Sequence, residues 1–437
     1  MRLRLSALLA CLACGATSVA WGQAGMTSAT GPNLESMSYG LGGISPRSGP
    51  IGARLGESSL LHAALGADVG YDSNVFYSHT PTSATVAHVT PALDLSNGER
   101  DGSMPDGAYY DLGASLTYRE YLSGGDAVRS QRAFNPNFGA LLRVSSRQTL
   151  SLSLSDNFAR TEDPPYAEGA KIITHDRNTG SIELKVAPGG GRIQLVLRYN
   201  NVLDLYEGLP YTNANNMGNE GVIDLSWRWL PKTAFFMQYA QGVVTYLRPS
   251  SSGITSYPMR ATAGMRGLLT EKLGLNLAAG YANAFYGSGG SNLSGFGDVV
   301  LVGEILYNMS LTSKVGLGYR HDFQNSPFIG NFYNLDAIYA ALREFVGGRV
   351  ALAAYARFEN RQYQGSQTNG TQANNRIDQV VIGGLTADYL IQRILYIGVG
   401  YTLTLARTND AISDDNSNGT GVDFTKHVVV GRLGIVY

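Results

Sequence analysis

The chain has 437 residues, a formal net charge of −1 and only 15% charged residues, against roughly 25% in ordinary soluble domains. Its 54 glycines and 26 tyrosines are an excess, and no basic surplus points to nucleic acid, so no nucleic-acid partner is expected. Both cysteines, Cys11 and Cys14, fall near the start, which excludes disulfides and thiolate metal sites from the remainder.

Residues 1–22 carry Arg2 and Arg4, an apolar run from Leu5 to Ala13, and Ala20-Trp21-Gly22 before Gln23. That order of basic, apolar and small residues predicts a secretory signal peptide, whose removal would take both cysteines with it. Residues 23–60 are punctuated by Gly31-Pro32, Ser45-Pro46 and Gly49-Pro50, so a flexible periplasmic N-terminal segment is expected there. Further on, no run approaches the roughly 18 apolar residues of a membrane helix, so a membrane crossing would have to use strands.

A period-2 pattern begins at Leu61 and runs to the end. Leu61, Ala63, Leu65, Ala67, Val69 and Tyr71 alternate with His62, Ala64, Gly66, Asp68, Gly70 and Asp72. Tyr110, Leu112, Ala114, Leu116 and Tyr118 repeat the design, with aromatics at both ends of the apolar row as in an interfacial girdle. Further copies are Ile193 to Tyr199, Ile223 to Trp229, Tyr257 to Met265, Val299 to Tyr307, Val350 to Phe358 and Leu395 to Leu403. The alternation lapses near Asp156 and around Phe235 to Gln241, where bulges or misread registers are the alternatives.

The pattern counts to about 18 segments over residues 61–437. Connections such as Pro231-Lys232, Glu271-Lys272 and Thr312-Ser313 are tight, while the intervening ones are long; Asn97 to Gly107 is an exception, long where a short turn is expected. The predicted fold is all-β: a transmembrane antiparallel up-and-down β-barrel with short periplasmic turns, long extracellular loops and outer-membrane lipid on its outside. A soluble sandwich or propeller would bury one face behind strands of more varied length. The last segment places Val429, Leu433, Ile435 and Tyr437 on one face and Arg432 and Gly434 on the other. It resembles the C-terminal strand of bacterial outer-membrane barrels, which implies that Tyr437 serves as an assembly signal for the barrel-assembly machinery.

A barrel of this size leaves an aqueous interior unless something plugs it. By alternation the inward rows contain Arg119, Arg143, Arg198, Arg228, Arg260, Arg266, Arg320, Arg357 and Arg432. Against them stand Asp94, Asp111, Asp224, Asp298, Glu304, Asp378 and Asp388. A polar lumen near charge balance follows, with neither ion sign selected. Tyr109, Tyr355 and Tyr396 also point inward, where they either line the lumen or pack. The contents expected are a polysaccharide or a small hydrophilic solute.

Between the first two segments stands Tyr71-Asp72-Ser73-Asn74-Val75-Phe76, and Pro91 lies in the second. Asp72 and Asn74 have short side chains that bond nearby backbone, ending a strand in an Asx-type turn. This aromatic-Asp-x-Asn turn after a first strand resembles a family of outer-membrane β-barrel porins associated with bacterial exopolysaccharide export, with Tyr77 where many relatives carry a basic residue. The resemblance implies passage of a secreted polysaccharide and a periplasmic polysaccharide export protein as partner. A general diffusion pore for small solutes and a non-transporting adhesin or scaffold are the alternatives.

No catalysis or cofactor is expected. His321, Asp322 and Ser326 are close in sequence, but a nucleophile needs its base within hydrogen-bond reach and a donor for the oxyanion. His62, His79, His88 and His175 lack metal-ligand spacing. Asp414, Asn416, Asn418 and Gly419 copy the first half of a calcium loop, yet Thr425 stands where its bidentate Glu is required.

Overall fold

The computed structural model describes residues 52–55, 59–97, 107–145, 149–162, 173–207, 211–248, 254–286, 296–325, 332–363, 366–368, 371–373, 376–391, 394–409 and 423–437. The expected signal peptide, most of the segment 23–60, Ser326 and the Asp414 to Gly419 stretch lie outside these residues.

Among the described residues, the alternating segments form eighteen long strands. They are β1 (Ser59–Asp72), β2 (Ala84–Ser96), β3 (Ala108–Tyr121), β4 (Ala133–Val144), β5 (Leu150–Thr161), β6 (His175–Val186), β7 (Ile193–Tyr206), β8 (Asn216–Leu230) and β9 (Thr233–Tyr246). The second half comprises β10 (Ser256–Leu268), β11 (Leu273–Tyr286), β12 (Phe296–Asn308), β13 (Ser313–Asn325), β14 (Phe332–Val346), β15 (Val350–Tyr363), β16 (Ile377–Leu390), β17 (Leu395–Thr408) and β18 (Phe424–Val436). Each strand is antiparallel to its sequence neighbours, and β18 pairs back onto β1 in the register Leu65 to Ile435. The sheet is therefore a closed barrel. Closure satisfies the backbone groups that an open edge would leave bare in lipid.

Turns after even-numbered strands are short, as at 231–232, 269–272 and 309–312, whereas connections after odd-numbered strands are longer. The short-turn side is the periplasmic one. Asn97 steadies the exceptional β2–β3 connection: its amide donates to the Ala108 carbonyl at 2.7 Å, and its Oδ1 accepts from the Tyr110 N–H at 2.8 Å. The first three strands pair without ambiguity.

One expected boundary shifts, and one open alternative is decided. A short strand, Ala53–Leu55, folds back antiparallel on Ser59–Leu61, so ordered pairing begins before Leu61. The lapses in alternation are also not mid-strand bulges. β5 runs through Asp156 in unbroken register, placing that carboxylate on the outer face, and the irregularity in β9 lies at Thr233/Ala234.

The outer face is apolar and accessible along every repeat named above, for example Val69, Leu112, Ile223, Val299 and Ile397. Tyrosines close its outer rim, each bonded to a polar neighbour: Tyr199 to Asn219 (2.6 Å), Tyr239 to Gln241 (3.1 Å), Tyr281 to Asn283 (3.1 Å) and Tyr319 to Asp336 (2.9 Å). Trp227, Trp229, Tyr307, Tyr389 and Tyr437 mark the opposite rim. On β3, Tyr110 and Tyr118 are eight residues apart, or about 27 Å along a strand. With a tilt of about 35–45° this covers about 19–22 Å of barrel height, most of the roughly 25 Å apolar band of an outer-membrane barrel. The chain is an outer-membrane β-barrel. Its buried apolar residues gather inside the outer half of the barrel rather than in a central core.

Candidate functional site

The site of a barrel is its lumen, so the inward side chains and what they hold decide what it can do. Arg266 clamps Asp224 with two hydrogen bonds, 2.7 and 2.9 Å, and its guanidinium lies 4.5 Å from the Phe236 ring. Arg260 reaches from β10 to β13, bonding Asp322 at 3.0 Å and the Phe323 carbonyl at 3.0 Å. Arg198 pairs with Glu183, Arg119 with Glu162 at 3.2 Å, and Arg143 donates to Ser153 at 3.0 Å. Arg357 and Arg361 share Glu359, and Arg376 forks onto Asp378. These last five are each less than a tenth exposed. Charges so deeply placed persist because each is paired and hydrogen-bonded.

Glycine on an intervening strand lets these groups meet across alternate strands. Glu304, Gly318 and Tyr339 stand in one register row, and the Tyr339 ring crosses Gly318 to donate to Glu304 at 2.8 Å. Asn276 donates to the other Glu304 oxygen, also at 2.8 Å. Asp388, Gly398 and Arg432 form a second row, in which Arg432 reaches over Gly398 to bond Asp388 at 2.7 Å. A Cβ on Gly318 would take the place of the tyrosine ring, and one on Gly398 would take that of the carboxylate.

Most of the expected lumenal residues therefore do point inward, but as members of pairs rather than as free charges. Asp111 accepts from Tyr109 at 2.8 Å, and Asp94 is buried. Arg228 donates to the Gly190 carbonyl at the periplasmic turn. Tyr396 is packed across Gly434, while Tyr355 is half-buried beside Val380 and Ile382. Asp298 keeps the inward row, opposite buried Ala282 and two residues from buried Val300. It is exposed near the outer end of β12 and bonds the Val299 N–H at 2.7 Å, outside the paired lumenal groups.

The Asx turn is present and does more than end a strand. Asp72 accepts from the Asn74 N–H at 2.9 Å and pairs with Lys426 at 2.8 Å. Fully buried Asn74 donates to the carbonyls of Ser78 (2.7 Å) and Thr425 (3.2 Å), and accepts from the Ser78 N–H (3.0 Å). It thus joins the start of the β1–β2 connection, residues 73–83, to β18. Tyr71 itself is exposed on the outer face. Sequence reasoning missed Lys426, although its place two residues from Val428 on the inward row of β18 was a usable signal. Thr425, tested above as a calcium ligand, instead offers its carbonyl to Asn74.

Of the enzyme-like set, Ser326 lies outside the described residues, and the other two members face opposite sides of the wall. His321 bonds Asp336 at 2.7 Å on the outer face, whereas Asp322 turns inward to Arg260. His88 pairs with Asp68 and His175 with Asp204. Among the described residues there is no group of three or more His, Cys, Asp or Glu side chains placed to hold a metal ion.

No protein-family model matches the chain, and no curated protein matches it. Solved structures do. The outer membrane protein opdK from Pseudomonas aeruginosa aligns at TM-score 0.47 and 11% identity, over 86% of this chain and 99% of its own. Acinetobacter baumannii OccAB3 aligns at TM-score 0.46 and 11% identity, over 86% and 99%. The siderophore receptor PirA from Pseudomonas aeruginosa aligns at TM-score 0.40 and 9% identity, over 86% and 80%. None of them assigns a cargo to this chain.

Proposed function

We propose that the chain is an outer-membrane diffusion channel for small hydrophilic solutes. The observation that carries this reading is the lumenal wall, which is polar and carries both signs of charge interleaved, many of them in ion pairs such as Arg266–Asp224, Arg260–Asp322 and Arg432–Asp388. A lining of that kind offers hydrogen-bonding partners to a passing solute without a field that rejects one ion sign. Packed side chains in the outer half of the barrel narrow the path, which favours small solutes over a broad polymer. Purified protein in a planar bilayer is expected to conduct, with a reversal potential near zero in a potassium chloride gradient. Absence of current, or strong selectivity for one ion, would refute it.

Polysaccharide export, with a periplasmic export protein as partner, is the second reading, and the Tyr71-Asp72-Ser73-Asn74 turn is what favours it. That turn is already accounted for by the bonds joining β1 to β18, so it bears on barrel closure more than on cargo. Deleting the gene decides between the two: loss of surface polymer supports export, and unchanged polymer with slower uptake of small sugars supports diffusion. Assembly through the barrel-assembly machinery is proposed on either reading.

A further inference from the structure

On the channel reading just given, we infer that residues 73–83, the connection between β1 and β2, set the aperture of the channel, and that Asn74 is the latch holding them in place. A connection on the outer side ordinarily stands in water, and apolar residues there would be exposed. Here Val75, Phe76 and Tyr77 turn inward. Val75 is fully buried against Val86 and Tyr121, with Phe76 packed on the same cluster. Tyr77 packs on Val380, Ile382 and Phe424 at the other side, its ring edge-on to Phe424 at 5.3 Å. Those partners belong to β2, β3, β16 and β18, so the segment lies along the inner wall to both sides of the barrel's closing seam.

The placement is enforced rather than incidental. Tyr77 has φ of 54°, a left-handed conformation that is unfavourable for a non-glycine residue, so its contacts must hold it there. Lys426 supplies part of that hold, its ammonium 3.8 Å from the Tyr77 ring while it pairs with Asp72. Asn74 supplies the rest through Ser78 and Thr425. The ends of the segment are also tied together, the Val75 N–H donating to the Thr82 carbonyl at 2.8 Å.

That bond makes a clean excision possible. Replacing residues 76–81 by Asn-Gly joins Val75 to Thr82 through a two-residue turn and keeps the Asp72–Lys426 and Asn74–Thr425 bonds of the seam. Its single-channel conductance is expected to rise at least roughly twofold over the parent, with larger neutral sugars admitted in vesicle swelling. Asn74→Ala, which keeps the segment but loses its latch, is expected to flicker between parental and raised levels. Tyr77→Cys, labelled with a bulky charged thiol reagent, tests the position without shortening the chain and is expected to lose current on labelling. Properly assembled variants, judged by heat-modifiable gel mobility, that conduct and admit sugars like the parent would overturn the role of the segment. So would labelling that leaves the current unchanged. No current from either the parent or the excised chain would instead overturn the channel reading, whereas a silent parent and a conducting excision would support the segment as the closure.

Discussion

At the scale of single residues, the most testable departure from the barrel pattern is Asp156. It stands exposed on the outward row of β5 between Leu154 and Phe158, with Asn178 donating to it at 3.2 Å. A charge on the lipid face of a barrel is destabilising, by up to about 2–4 kcal/mol for Arg or Lys at mid-depth and less for Asp. Asp156→Leu is therefore expected to stabilise the protein by about 1 kcal/mol, read as a higher urea midpoint in lipid vesicles. The lumenal pairs carry the opposite sign. Arg266→Ala leaves Asp224 buried beside Gln238 without its cation, and the expected loss is about 3–5 kcal/mol in the same titration. Adding Asp224→Ala should restore part of it, since the penalty arises from the stranded charge more than from the lost attraction. The inward direction of both residues was legible from alternation alone. Their partners were not, because Asp224 and Arg266 sit on strands separated by β9 and meet only when the sheet curls.

At the scale of elements, the strands were the most legible part of this chain. Apolar rows such as Tyr110 to Tyr118 and Ile223 to Trp229 specify both the strand and its outward face, because a slip of one residue would put the whole row in the lumen. The excess of glycine was visible too, but its use was not. Gly318 and Gly398 are the floors over which Tyr339 reaches Glu304 and Arg432 reaches Asp388. That role depends on register across three strands, which no single segment encodes. Gly318→Ala is expected to displace Tyr339 and cost about 1–3 kcal/mol as an overpacked site. Gly221, on the outward row of β8, has open space where a methyl group would stand, with nothing within 4 Å, and Gly221→Ala should stay within about 0.5 kcal/mol. Comparing the two by urea titration separates a lumenal bridge from a generic effect of glycine in strands.

At the scale of the whole molecule, closure is what converts a string of amphipathic strands into a barrel, and it depends on one seam. β1 and β18 are the strands most distant in sequence, so their pairing is the contact with the largest loop-closure cost and the one most in need of added bonds. At the outer end the seam is secured by Asp72, Asn74 and Lys426. At the periplasmic end the Tyr437 N–H donates to the Ala63 carbonyl at 2.7 Å, and the Ala63 N–H donates back at 2.9 Å. The periplasmic bonds use backbone atoms alone, so the Tyr437 ring is free to face lipid at the inner rim, where it is half exposed. Tyr437→Lys keeps the hydrogen bonds and replaces only that interfacial ring with a charge. The amount of heat-modifiable protein recovered from outer membranes is expected to fall severalfold, while the assembled fraction conducts like the parent, because no lumenal group has changed. Parental yield would show that backbone pairing alone closes the seam, and altered conductance would mean that Tyr437 reaches the lumen.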